Sequence, residues 1–89
     1  MAWLAFTPHL RKVIDPALRQ VPGETVGEVI NAAFEVSPAA RGYVLDDRGR
    51  LRKHVAIFLN DKRENPSSVL ERPVTDDCEI YVMQALSGG

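Results

Sequence analysis

Thr25 and Glu28 stand three residues apart at the head of an apolar series formed by Val26, Val29, Ile30, Ala33 and Phe34. The Thr-x-x-Glu pair reads as a capping box, in which the hydroxyl accepts from the N3 amide and the glutamate reaches back to the cap amide. The series recurs at i, i+3, i+4, i+7 and i+8, which gathers it on one face of a helix. Ser37-Pro38 ends that helix, because a residue before proline avoids the helical region. Gly27 costs about 1 kcal/mol in a helix interior, and near the N-terminus it suits a close approach by another element. One helix with one apolar face must be covered by something. The 89 residues amount to one domain, with room for a single core.

The rest of the chain supplies strands for that cover. Ala2 to Thr7 is aromatic and apolar and stops at Pro8, with Leu4 and Phe6 on one face and Trp3 and Ala5 on the other. Pro8 to Asp15 is either a turn or a helical excursion. Ala17 to Val21 reads as a second strand ending at Pro22-Gly23. Ala39 to Lys53 is a long connection, with a short strand piece at Tyr43-Val44-Leu45 and a turn at Asp47-Arg48-Gly49. His54 to Asn60 is the strongest strand. It is apolar on both faces, which suggests a central place in a sheet. Val69-Leu70 inserts into the core after the Asn65-Pro66-Ser67-Ser68 loop. A last strand, Cys78 to Ala85, turns Cys78, Ile80 and Val82 inward. The class is α+β, a mixed sheet packed on one main helix, with residues 1–83 as the domain and 84–89 as a flexible tail.

Composition narrows the function. A net charge of −1 argues against a general electrostatic binder of nucleic acid. Cys78 is the one cysteine, so no internal disulfide staples the chain, and a reducing cytoplasm is the expected location. Met1 to Phe6 is too short for a signal or a membrane span, so a soluble protein is expected. His9 and His54 have no metal-ligand spacing with Cys78. Cys78 itself reads as a small buried hydrophobe, and His54 as a residue at the sheet margin. The pairs Asp46-Asp47 and Asp76-Asp77 read as solvated turn residues. Arg48, Arg50, Arg52 and Lys53 surround a glycine turn, either as a solvated loop or as a docking patch for an acidic partner. No phosphate-binding glycine loop is present. These are poor credentials for an enzyme, and no metal site is expected.

The sequence closes on Leu86-Ser87-Gly88-Gly89. Two glycines lose much backbone entropy on ordering and offer no side chain to pack. A terminal carboxylate is a poor electrophile until ATP converts it to an acyl adenylate, and a sulfur nucleophile then displaces AMP. Glycines let such a tail thread into another protein's ATP site, with no β-carbon to shield the carbonyl. On this reading Gly89 is the reactive residue, and Leu86, Ser87 and Gly88 thread into the partner.

Three segments carry a family resemblance. Thr25-Val26-Gly27-Glu28-Val29, Val55-Ala56-Ile57-Phe58-Leu59-Asn60-Asp61, and Cys78-Glu79-Ile80-Tyr81-Val82 running on to Ala85-Leu86-Ser87-Gly88-Gly89 together resemble the MoaD/ThiS family of sulfur carriers. The likeness spans roughly residues 20 to 89. Asp47-Arg48-Gly49-Arg50-Leu51-Arg52 resembles a branch linked to cysteine biosynthesis. Two departures are visible: Asp76-Asp77-Cys78 stands where members often have Asp-Gly-Asp, and Met83-Gln84 where prolines often precede the tail. The resemblance implies a ubiquitin-like β-grasp fold. It also implies that an E1-like (ThiF/MoeB-type) adenylyltransferase uses ATP with Mg to form a glycyl adenylate at Gly89. A persulfide or sulfurtransferase would then yield the thiocarboxylate, and a sulfur-accepting synthase would consume it. Leu86 would anchor the tail. Acceptors in cysteine, thiamin, molybdopterin and siderophore pathways are all compatible.

Two other roles fit the same residues. One is a modifier joined through Gly89 to a lysine of another protein. The other is the small subunit of a molybdopterin-synthase-like complex. In the latter, Phe58, Tyr81 or Trp3 on the outer sheet face would supply an apolar interface, and Phe58, Tyr81, Arg50 and Arg52 are the candidate partner-interface residues. Neither nucleic acid nor a membrane is an expected partner.

Overall fold

The computed structural model describes residues 1–84. Five strands form one mixed sheet in the order β2-β1-β5-β3-β4. They are β1 (Ala2–Phe6), β2 (Arg19–Val21), β3 (Val55–Leu59), β4 (Lys62–Arg63) and β5 (Glu79–Gln84). Two helices lie between β2 and β3: α1 (Val26–Val36) and α2 (Pro38–Val44). β1 and β5 run parallel, and the other neighbours are antiparallel.

Register follows from the alternation of side chains. Leu4, Ile80 and Leu59 face one another across three strands, as do Phe6, Val82 and Ile57. All six are buried and join Val26, Val29, Ile30 and Phe34 of α1 in one core. The Phe6 and Phe34 rings meet with centroids 6.0 Å apart, tilted 40°, inside the range favoured by aromatic pairs. A slip of one residue in any strand would turn this whole set to the outer face.

The start of α1 follows the capping logic with one change. Thr25 is extended, and its Oγ1 accepts from the Glu28 amide at 3.2 Å. Glu28 reaches back one residue further than expected, accepting from the amide of Glu24 at 3.0 Å, not from that of Thr25. Gly27 meets the close approach anticipated for it: a β-carbon there would lie 2.9 Å from the Leu70 carbonyl oxygen. That carbonyl belongs to a 3-10 turn, Val69–Glu71, which seats Val69 fully inside the core.

Two sequence expectations need correction. Tyr43-Val44-Leu45 is not a strand piece. Pro38 opens α2 as its first residue, where its missing N–H and fixed φ are harmless. The proline that stops α1 therefore starts a second helix after the single residue Ser37. Ala40 and Val44, four residues apart, bury the same face of α2, and Leu45 makes only an isolated bridge to Leu51. Second, the central strand is β5, not β3. β3 lies between β5 and the two-residue β4, and its outward Phe58 is only half-buried. β4 follows from the turn at Asn60 and Asp61, whose φ values of 51° and 68° make the tight hairpin loop that matches strand twist.

The ambiguous stretch after β1 resolves as a 3-10 turn at Pro8–Leu10, with Leu10 and Ile14 in the core. β2 is shorter than expected and begins at Arg19. Gln84, expected in the tail, is the last residue of β5 and pairs with Val55.

Candidate functional site

Gly89, Gly88, Ser87 and Leu86 lie outside the described residues. The described residues that precede them in the sequence are those of β5. β5 occupies the middle of the sheet and ends at Gln84, opposite Val55, the first residue of β3. On its other side the Thr7 amide donates to the Val82 carbonyl at 2.7 Å. The end of β5 is thus gripped by the end of β1 and the start of β3. A small apolar hollow of about 30 Å³ opens there, with Leu10, Tyr43, Val44 and Met83 in its lining. His54 also borders it, exposed and just ahead of β3, at the sheet margin as expected.

The outer face of the sheet carries the residues named as an apolar interface. Phe58 and Tyr81 are paired across β3 and β5, and Ala5 sits on the far side of Tyr81 in β1. Phe58 and Tyr81 are half-buried, and with Asp61 and Met83 they line a shallow depression. Trp3 lies on the same face, opposite Glu79 and Gln20. Tyr81 donates its hydroxyl to Glu79 Oε1 at 3.0 Å. That bond, with the nearby carboxylate charge, pushes the phenol's pKa up and keeps it neutral. Met83 was not singled out from sequence, although the inward placement of Ile80 and Val82 already implied it by period two.

Arg50 and Arg52 precede β3 in the chain and border a different hollow from the Phe58–Tyr81 depression. The turn before them is held by Asp46, whose Oδ1 accepts from the amides of Arg48 and Arg50, each at 2.9 Å. Those bonds, led by that of Arg50, lower the Asp46 pKa. Asp46 is therefore a turn staple, one step more structured than a merely solvated acid. Arg52 donates from Nε to the Gly42 carbonyl at 2.7 Å, tying the basic loop to α2.

Cys78 is half-buried just before β5. Its sulfur accepts from the Thr75 amide at 3.3 Å, contacts the Thr75 hydroxyl at 3.4 Å and lies 3.8 Å from the Asn60 amide nitrogen. The Thr75 amide is the foremost cause of a lowered thiol pKa, followed by the Thr75 hydroxyl; burial and Asp77 oppose it. Alkylation by iodoacetamide tracks the thiolate, so its rate should reach half-maximum at a lower pH than for an unperturbed cysteine. Thr75→Val, which keeps the amide and loses the hydroxyl, should move that midpoint back upward. Identical profiles for the two proteins would contradict this hydrogen-bond account.

Among the described residues, no group of three or more His, Cys, Asp or Glu is placed to hold a metal ion. No helix among them is long and apolar enough to cross a membrane.

Neither the family models nor the curated proteins give a match to this sequence. Solved structures do. A chain of the Amycolatopsis orientalis BexX/CysO complex is similar at a TM-score of 0.84 and 20% identity, with 100% of both chains covered. Mycobacterium tuberculosis CysO is similar at 0.83 and 20% identity, over 97% of this chain and 100% of that one. Small archaeal modifier protein 1 from Methanosarcina acetivorans is similar at 0.81 and 21% identity, over 99% and 95%. With the sheet order and the two helices already described, these likenesses define the fold as a β-grasp, as the sequence resemblance implied.

Proposed function

We propose that this protein is a ubiquitin-like sulfur carrier, whose folded part presents the Gly89 carboxylate to enzymes that do the chemistry. The observation that carries the reading is the β-grasp fold, in which β5 holds the middle of the sheet and its Gln84 is followed in the sequence by the five residues Ala85 to Gly89. Those five residues reach at most about 17 Å when extended, enough to enter a neighbouring ATP site while the domain stays outside it.

In this reading an E1-like adenylyltransferase binds ATP with Mg. The Gly89 carboxylate attacks the α-phosphorus, forming the acyl adenylate and releasing pyrophosphate. A protein persulfide then attacks the carbonyl and AMP leaves. A second thiol cleaves the resulting acyl disulfide, giving the thiocarboxylate and a disulfide on the donor. ATP and Mg belong to the activating partner, and this chain acts as its co-substrate rather than as an enzyme. Gly88 and Gly89 leave the carbonyl unshielded, Leu86 anchors the tail, and Phe58 and Tyr81 with Met83 dock the sheet face on the partner. The reducing cytoplasm inferred from the lone cysteine suits a thiocarboxylate, and a sulfur-accepting synthase discharges it.

Two structural neighbours support the idea of a protein that works through others: one is a small archaeal modifier protein, and one is a chain in a BexX/CysO complex. The likeness to the archaeal modifier favours a second reading, in which the same adenylate passes to a lysine of a target protein. The small subunit of a molybdopterin-synthase-like complex is the third role compatible with the sheet face. The test of the shared first step is ATP–pyrophosphate exchange by the activating enzyme encoded with this protein. Exchange should depend on the chain and saturate with it. Exchange that proceeds equally without the chain would overturn the proposal.

A further inference from the structure

The charges of this protein are unevenly placed. Between residues 38 and 54 stand Arg41, Arg48, Arg50, Arg52 and Lys53 against Asp46 and Asp47, whereas residues 22–36 hold Glu24, Glu28 and Glu35 with no cation. A chain with net charge −1 thus carries a cationic end. That end is shaped. Arg50, Arg52 and Lys53 form one wall of an open cleft of about 560 Å³, and Leu51, Pro66 and Leu70 give it an apolar lining. Glu71 is the one acid in its rim.

The local bonds leave the cations available. Asp46, the nearest acid, spends its Oδ1 on two backbone amides, and its Oδ2 stands 3.8 Å from Arg50 Nε. Arg50 remains 69% exposed. Arg52 is held by one Nε bond to Gly42, which fixes its stem and leaves the terminal nitrogens of the guanidinium to act as donors. Lys53 is exposed and has no ion pair among the described residues. The floor is equally fixed: Leu51 bridges Leu45, and Leu70 sits on the 3-10 turn locked against Gly27. The position of the cleft matters too. Lys53 is two residues before Val55, the residue paired with the end of β5. The basic wall therefore stands beside the Val55–Gln84 end of the sheet, and it shares no residue with the Phe58–Tyr81 depression.

We propose that this cleft docks an acidic segment bearing an apolar side chain, supplied by the enzyme that activates the tail. Leu51 and Leu70 take the apolar group, and Arg50, Arg52 and Lys53 pair with the carboxylates around it. The identity of the partner rests on the sulfur-carrier reading; the chemistry of the cleft's ligand does not. A charged contact next to the tail speeds encounter and sets orientation more than it adds affinity. It would bring the domain in with the tail already pointed at the partner's site.

The test is an amide-resonance titration of the full chain with a short synthetic peptide of glutamates around one leucine. Shifts should concentrate at residues 50–53 and 66–71 and fade at high salt. The double variant Arg50→Glu/Lys53→Glu, checked as folded by its own spectrum, should bind at least about tenfold more weakly. Replacing the peptide's leucine by serine should weaken binding to the unaltered chain. Shifts scattered over every cation, including Arg11, Arg19 and Lys62, would overturn the proposal. So would equal binding of the serine peptide, or the same shifts produced as readily by tripolyphosphate, which would mark a phosphate site. A chain that binds the peptide in the cleft yet is never adenylated would sink the carrier reading and leave the docking site standing.

Discussion

A chain shortened by Gly89 alone should form no detectable acyl adenylate, and Gly89→Val should form it about 100-fold more slowly, while both variants unfold at the same urea concentration as the full chain. The truncated protein still ends in a glycine carboxylate, so charge and chemical type are kept. What it loses is one residue of reach, about 3.5 Å, at a step that requires near-attack distance between carboxylate oxygen and phosphorus. The valine variant keeps the reach and adds a branched side chain beside the carbonyl, in a channel shaped for bare backbone. The readout is pyrophosphate exchange with the activating enzyme, set beside urea unfolding. Gly89 lies five residues beyond Gln84 in the sequence, and Gln84 is the last paired residue of β5. Unfolding should not register either change. Full exchange by the truncated chain would place the reactive group elsewhere.

The largest stability effect is expected at Ile80. It is fully buried near the start of the central strand, flanked by Leu4 on β1 and Leu59 on β3. Ile80→Ala removes transfer free energy and leaves a cavity that strands fixed on both sides cannot collapse into. The expected cost is about 2–5 kcal/mol. A domain of this size has only about 5–15 kcal/mol in total, so the midpoint of urea unfolding should fall steeply with little change in slope. Tyr81→Ala, one residue along and facing outward, opens onto solvent and should cost less. Equal losses at 80 and 81 would mean that the two faces of β5 do not divide as described.

Much of the fold was legible because its strongest signals are local. The Thr25–Glu28 cap and the apolar spacing from Val26 to Phe34 needed no tertiary information, and α1 runs as that spacing predicts. Period two in β3 and β5 likewise placed Ile57, Leu59, Ile80 and Val82 inside. What escaped was decided by context. Pro38 reads as a stop, yet one residue of non-helical backbone at Ser37 is enough to make it a start. Tyr43 and Val44 have the side chains of a strand, but burying Ala40 and Val44 together needs a helical turn. The apolar outer face of β3 suggested a middle strand; Ala56 is covered beside Met83, and Phe58 is left half-open. Of the candidate site, sequence named the tail, the Phe58–Tyr81 pair and the basic loop. It did not show that the loop and the end of β5 share one end of the sheet, because that follows from the pairing of Val55 with Gln84. Nor did it show Leu70 facing the basic loop across a cleft, nor the Thr75 and Asn60 groups that converge on Cys78.

The most direct measurement is the intact mass of the chain after incubation with its activating enzyme, ATP, Mg and a persulfide donor. The carrier account predicts a gain equal to the replacement of one oxygen by sulfur, localised to Gly89 by fragmentation and lost when that residue is deleted. An unchanged mass under conditions that consume ATP would contradict it, as would a sulfur found on Cys78 instead.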